Sequence, residues 1–302
     1  PPTAPDLTCG APATRISDIQ GEGDISPVAG QHVVIQAVVT AAFNTNDGLG
    51  GVFVEEEASD RDDNPATSEG LFVYAPTLNA EPGQRLRLAG EVTEYDGLTE
   101  LTNLSGTENC GNAELPPAAQ ISLPWADATA PEAFEAMRVQ FSAPLVVNDN
   151  YDLGRYGSLT LGSGRHFIPT SIAEPGADAA LVADLKALDR IILDDASNRQ
   201  NPAIVPYPTP QLSASQTVRA GDTVQDLAGV LDYRFSEWRL QPTASPSFSQ
   251  ANARVTEPGL EDRGNLVVAS FNVLNFFNGD GMGGGFPTAR GAYNPAELAR
   301  QT

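Results

Sequence analysis

AGQHVVIQAVVT (29–40), PGQRLRLAGEVTEY (82–95) and AGDTVQDLAGVLDY (220–233) are three versions of one pattern. Each opens with a small residue or proline followed by glycine, passes through polar positions, and then alternates Val or Leu with other residues. Period-two alternation is what a half-buried strand requires, and the glycine marks the turn that feeds it. After the second and third versions come a short break and the runs LTELTNL and EWRLQPT, so each reads as the first arm of a hairpin.

Outward from these stretches, GVFVEE (51–56) and GLFVYAP (70–76) are strand-like runs. Five short strands between about 30 and 105 fit a small closed barrel such as an OB-fold. The second half repeats the plan with longer inserts: RVQFSAPLVV (138–147), SLTLGSGRHFIPT (158–170) turning at Gly162–Gly164, a helical stretch at 176–188, then RIILDD. A short helix is expected over 131–137, with Pro131 in its first turn. Pro116–Pro117 and 242–264 read as linkers. The expected fold class is therefore mainly β: two consecutive small OB-like β-barrel modules with short helices. Their bounds are a tail over 1–14, modules over 15–115 and 116–245, and a linker over 246–263. Strand pattern alone does not separate a barrel from a sandwich.

Charge narrows the function classes. Lys and Arg total 17 against 39 Asp and Glu, a net charge of −22, and Lys186 is the only lysine. Such a surface repels polyanions at long range, against a basic nucleic-acid groove whose affinity comes from displaced counterions. DNA contact would need metal ions, a few local arginines or a partner domain. A secreted protein from a saline setting would carry the same charge. No apolar run approaches a membrane span, so no membrane partner is expected. The opening PPTAPDLTCG resembles a mature terminus left by processing, although a trimmed cytosolic protein would look the same.

Cys9 and Cys110 each precede a glycine and frame the first module. They are either two separate buried thiols or a disulfide tying the tail to the module's end. The bridge is favoured because zinc would need more ligands and neither histidine has suitable spacing. A bridge implies an oxidising, extracellular compartment.

GNLVVASFNVLNFF (264–277) differs in character. LVVAS is continuously apolar, as a strand buried on both faces would be, and it runs into Phe271-Asn272-Val273 and then Leu274-Asn275. The segment resembles the opening strand of the endonuclease/exonuclease/phosphatase fold, whose S-F-N-V-L-N motif sets an asparagine beside the catalytic metal and scissile phosphate. Upstream, NPATSEGLFVYAP, GEVTEYDGLTEL, NYDLGRYGSLTLGSG, RIILDDASNRQNP and GDTVQDLAGVLDY resemble the OB-like region that precedes the catalytic domain in bacterial extracellular nucleases of the ExeM/NucH type. The resemblance runs from about residue 15 to 302 and makes 264–302 the opening of an α/β phosphodiesterase domain.

It implies a secreted nuclease that hydrolyses phosphodiester bonds of extracellular DNA with Mg²⁺ or Mn²⁺. Asn272 is the one catalytic and metal-site position that carries over. The family also needs a glutamate on the metal, an Asp/His pair and a late histidine, which would lie beyond Thr302. The only histidines here are His32 and His166. This stretch is therefore expected to be inactive by itself. The rival expectation, from another class, is a secreted β-barrel binding or matrix module for calcium, polysaccharide or a protein.

Other residues invite chemistry less directly. Asp60, Asp62, Asp63 and Asn64 have D-x-D-x-N spacing that would suit Ca²⁺, although Pro65 and Leu71 stand where an EF-hand needs glycine and glutamate. Asn148, Asn150 and Asp152 form a weaker set that turn chemistry explains as well. His32 and His166 are expected to be structural. Tyr95, Tyr151, Tyr156, Tyr233, Phe235 and Trp238 invite a stacking surface, with Arg155, Arg234 and Arg239 nearby. Burial of alternate strand residues explains many of them equally well.

Overall fold

The computed structural model describes residues 4–301 except 46, 63, 214, 258, 261–263, 271, 273–275, 278 and 281. Two compact units result, Pro1–Ala253 and Arg254–Thr302.

The first unit opens with helix α1 (Ile16–Gln20) and strands β1 (His32–Phe43), β2 (Gly51–Glu55), β3 (Gly70–Tyr74), β4 (Gln84–Tyr95) and β5 (Leu98–Asn112). They close in the order β1-β2-β3-β5-β4, the connectivity of an OB barrel. β1 does two jobs: His32–Val38 pairs with β4, while Val38–Phe43 pairs with β2. A register shift between Val39 and Ala41 provides the bend between the halves. β3 runs parallel to β5, and β4 and β5 join through Asp96–Gly97. Ile35, Ala37, Val39, Val52, Val54, Leu71, Leu88 and Val92 fill the barrel and α1 caps it with Ile16 and Ile19.

The tail forms a strap over this barrel. Cys9 and Cys110 are disulfide-bonded, their Cα atoms 5.6 Å apart. Beneath the strap lies Arg87, a fully buried cation that donates to the carbonyls of Asp6 (2.9 Å), Ala11 (2.8 Å) and Pro12 (2.7 Å). Carbonyl dipoles substitute for water around a charge that would otherwise be too costly to bury.

The second barrel repeats the plan with its first strand broken. β6 (Ala119–Ile121) precedes β7 (Arg138–Phe141) and β8 (Leu145–Asp149), which are one run interrupted at 142–144. Next come α2 (Leu153–Tyr156), β9 (Leu159–Gly162), α3 (Ala177–Leu188), β10 (Ile191–Leu193), β11 (Thr223–Gln225), β12 (Ala228–Arg234), β13 (Glu237–Pro242) and β14 (Ser247–Ser249). The hydrogen-bonded order is β14-β11-β8-β9-β10-β13-β12-β7-β6. The hydrogen-bonded path from β8 through β9, β10, β13 and β12 leads to β7, which the chain joins to β8 across 142–144, so the ring closes through the backbone and not through strand pairing. β10 lies parallel to β13, as β3 does to β5. Each half of the broken strand gains an extra neighbour, β6 on β7 and β11 on β8.

Several boundaries differ from expectation. AGDTVQDLAGVLDY forms two strands, β11 and β12, because Asp226 takes φ 51° between them. The helix at 131–137 is a single 3-10 turn, Ala130–Phe134. Residues 163–168 leave the sheet, so His166 sits in a loop. The linker expected from 246 contains β14, which pairs with β11, and the unit boundary falls after Ala253.

The barrels share a third core. Phe53, Phe72 and Leu98 from the first pack with Ala136, Ala196 and Val230 from the second. β2 and β3 are thus covered on both faces, which explains their unbroken apolar sequence. Gly70 makes the approach possible: a Cβ there would lie 2.4 Å from the Ala136 carbonyl carbon. Ser68 Oγ donates to the Glu135 carbonyl (2.5 Å), Thr99 N–H to Glu135 Oε1 (3.1 Å) and Arg138 N–H to Glu55 Oε2 (3.0 Å).

In the second unit, Asp280 accepts from the backbone of Met282 and Gly284, and α4 (Pro295–Gln301) follows. The strand expected at LVVAS is not formed: 264–270 has no strand assignment, and Leu266, Val267 and Val268 are exposed. A strand buried on both faces needs paired edges and a covering layer. The described residues of this unit supply one helix and no strand.

Candidate functional site

In an OB barrel, ligands meet the face of the second and third strands between the first–second and fourth–fifth connections. Here the second barrel covers most of that face on the first, but its rim stays open. A cavity of about 520 Å³ is lined there by Leu49 before β2, Tyr74 at the end of β3, Tyr95 and Asp96 at the β4–β5 turn, and Glu100 on β5. From the second barrel, Tyr233, Arg234 and Phe235 of the β12–β13 hairpin complete it. An adjoining cavity of about 340 Å³ shares Leu49, Asn198, Arg234 and Phe235 and extends to Asp152 and Tyr156 in the β8–β9 connection. Corresponding loops of both barrels therefore open into one groove.

Its floor is locked. Asn198 Nδ2 donates to the Gly48 carbonyl and the Asn198 N–H to Asp47 (2.7 Å each), clipping a loop of the second barrel onto one of the first. Arg234 Nε donates to Asp232 Oδ2 (2.8 Å), and Arg239 Nη1 to Asp194 Oδ2 (3.0 Å). Gln241 Nε2 bridges Asp232 Oδ2 (3.0 Å) and Asp194 Oδ2 (3.3 Å). The Arg234 guanidinium lies 4.5 Å above the Phe72 ring. Burial pushes Glu100 up to about 7 despite Arg234, with Asp232 and Glu94 adding to the rise. Burial also raises Asp232, against the pull of Arg234.

The two hairpin tips differ. β4 and β5 turn through Asp96 (φ 51°) and Gly97 (φ 88°), a pair suited to a two-residue turn with positive φ at both positions. At Gly97 a Cβ would also meet the Tyr233 ring at 2.8 Å. β12 and β13 turn through Phe235 (φ 56°) and Ser236 (φ 60°), neither of which favours that region. Phe235 is nevertheless 71 % exposed, with the Arg239 guanidinium 5.0 Å from its ring centre. Tyr95 and Tyr74 are 59 % and 49 % exposed on the opposite wall.

Of the suggested aromatic set, Tyr95, Tyr156, Tyr233 and Phe235 meet along this groove, together with Arg234 and Arg239. Arg155 stacks on Tyr156, 4.9 Å from its centre, and donates to Gln200 (3.2 Å). Tyr151 is exposed and does not line the groove, and Trp238 packs on Tyr233 (4.9 Å) facing another cavity. Leu49, Tyr74 and Asn198 were not singled out in the sequence; their positions at loop ends were the available signal.

Among the described residues the other suggested sites are not assembled as ligand sets. Asp62 accepts from Asn64 N–H (2.8 Å) and Thr67 Oγ1 (3.0 Å), and its own N–H donates to Glu69 Oε1 (3.0 Å). Asp60 accepts from Ser59 Oγ (3.4 Å), while Asp63 lies outside the described residues. Among the described residues no three His, Cys, Asp or Glu side chains group as a metal site. Asn148 accepts from His166 N–H (2.7 Å) and Asn150 donates to Val218 O (2.7 Å), so both lock loops. His166 Nε2 meets Asp189 Oδ2 (2.7 Å), and His32 is exposed at the start of β1. Asn272 is exposed and carries no strand assignment. No helix of the described residues is long and apolar enough to cross a membrane.

The profile of a family described as "Domain of unknown function (DUF8508)" matches residues 127–252, nearly the whole second barrel. Comparison with curated proteins found no match. A solved structure of a murine DNA-binding protein bound to double-stranded DNA is similar over 72 % of this chain and 97 % of that one, at 9 % identity and a TM-score of 0.26. A likeness that loose says nothing about what this chain binds.

Proposed function

We propose that this chain is the non-catalytic N-terminal part of a secreted metal-dependent nuclease acting on extracellular DNA, and that its paired barrels form one rigid binding unit. The binding role rests on one observation: both barrels turn their corresponding ligand-side connections into the same groove. The nuclease role rests on the S-F-N-V-L-N resemblance around Asn272, and the Cys9–Cys110 bridge is compatible with an extracellular setting.

Among the described residues no three His, Cys, Asp or Glu side chains group to hold the catalytic Mg²⁺ or Mn²⁺. Asn272 offers one neutral amide, whereas such ions take octahedral oxygen sets that include carboxylates. Plasmid DNA incubated with the chain and Mg²⁺, Mn²⁺ or Ca²⁺ should stay uncut, and oligomer ligands should bind the parent but not a Tyr95→Ala/Phe235→Ala double variant. Cleavage would overturn the non-catalytic assignment, and binding indifferent to the double variant would overturn the groove.

A further inference from the structure

The charge and lining of the groove indicate which polymer it takes; this inference rests on the groove being the binding site. Nucleic acid is held by Lys and Arg that displace counterions. This groove instead sets Asp96, Glu100, Asp152 and Asp194 against Arg234 and Arg239. Both arginines are already ion-paired, with Asp232 and Asp194. The face on which bases would stack in an OB barrel is closed as well, since Phe53 and Phe72 are buried under the second barrel and Arg234 covers Phe72.

What remains open is a set of exposed rings among hydrogen-bond acceptors. Tyr74 and Tyr95 face the groove from one barrel and Phe235 from the other. Phe235 is displayed on a left-handed turn that asparagine or glycine would occupy at lower energy. Carboxylates accept hydrogen bonds and cannot donate when ionised, so they suit a ligand rich in hydroxyl donors. An aromatic face carries negative charge density that attracts the polarised C–H groups of a sugar ring. The cavity volumes fall in the ordinary small-ligand range of roughly 300–1,000 Å³, room for a short oligomer.

We propose that the groove binds a neutral oligosaccharide, its pyranose rings lying on Tyr95, Phe235 and Tyr74 and its hydroxyls donating to Asp96 and Asp152. The ligand bridges the two barrels, and its affinity depends little on salt.

Calorimetric titration of the whole chain with cellohexaose, chitohexaose and maltohexaose, and with a phosphorothioate-protected dT12 strand, at low and high salt, tests this. At least one hexasaccharide is expected to bind equally at both salts, with about tenfold weaker binding for Phe235→Ala and for Tyr95→Ala. Both substitutions are at exposed positions, and a cooperative melting transition within a few degrees of the parent's verifies folding. Binding of dT12 alone, falling steeply with salt and lost in the same variants, would overturn the oligosaccharide assignment while keeping the groove as the site. Sugar binding untouched by either variant, or no binding of any probe, would overturn both.

Discussion

Replacing Phe235-Ser236 by Asn-Gly should make the protein more stable while weakening its ligand affinity about tenfold. Both residues hold positive φ, 56° and 60°, at the tip of a two-residue hairpin. The left-handed region costs an L-residue roughly 1–2 kcal/mol, and Asn and Gly are the residues that adopt it most readily there. Relief at two positions is worth about 2–3 kcal/mol. Against it stand the lost contact of Phe235 with Arg239, about 0.5–1 kcal/mol at an exposed site, and about 0.4–1 kcal/mol for the added freedom of glycine in the unfolded chain. The net expectation is a gain of about 1 kcal/mol, or ~2–4 °C in melting temperature for a unit of this size. Urea denaturation of the parent and of Phe235→Asn/Ser236→Gly measures it, with tryptophan emission from Trp238 as probe. A variant less stable than the parent would show that the turn is not strained as argued. A variant with unchanged ligand affinity would show that the strain serves no binding role.

Further expectations follow from the strap, the barrel contact and the buried acids. Reduction of Cys9–Cys110, whose partners are 101 residues apart, should cost about 4–5 kcal/mol on the chain-entropy model, seen as a lower melting temperature in dithiothreitol. Arg87→Met should cost about 3 kcal/mol by orphaning three strap carbonyls, with faster amide exchange over 6–12 as the local signature. Gly70→Ala drives a methyl into the Ala136 backbone and should cost about 3 kcal/mol, read by denaturation and by proteolysis around 113–118. Burial raises Glu55, Glu56, Glu100 and Glu132 from 4.5 to about 7, so the folded state holds the extra protons. Their contribution is complete below the unfolded value and is lost as pH rises through the folded ones, so melting temperature should fall between pH 4.5 and pH 7 and level off above. A melting temperature that rises across that window would refute this account, and Glu55→Gln should flatten the slope.

Much of the fold was legible because period-two alternation and a glycine before each strand report local geometry. The β4–β5 and β12–β13 hairpins could be read from their strands and intervening breaks. What could not be read was long-range: that RVQFSAPLVV supplies both ends of a ring through β7 and β8, and that Phe53 and Phe72 face a second barrel instead of solvent. The continuous apolar character of β2 and β3 was the trace of that contact. LVVAS has the same character and forms no strand, because an apolar run states a need for neighbours without supplying them. At the site, Tyr95, Tyr233 and Phe235 stood out as aromatics at strand ends, whereas Leu49 and Asn198 matter only because two distant loops meet. At Asp62 the D-x-D-x-N spacing forms an Asx turn, since Asp62 accepts from the Asn64 N–H, and calcium loops use the same spacing.

The most direct test is hydrogen–deuterium exchange of the whole chain with and without a saturating hexasaccharide. Simultaneous slowing at both hairpin tips, 94–99 and 233–238, and at the clipped loops 47–50 and 197–200, is the expected result. Protection confined to one barrel, or falling on the exposed face of α3 instead, would contradict the claim that the two barrels share one binding groove.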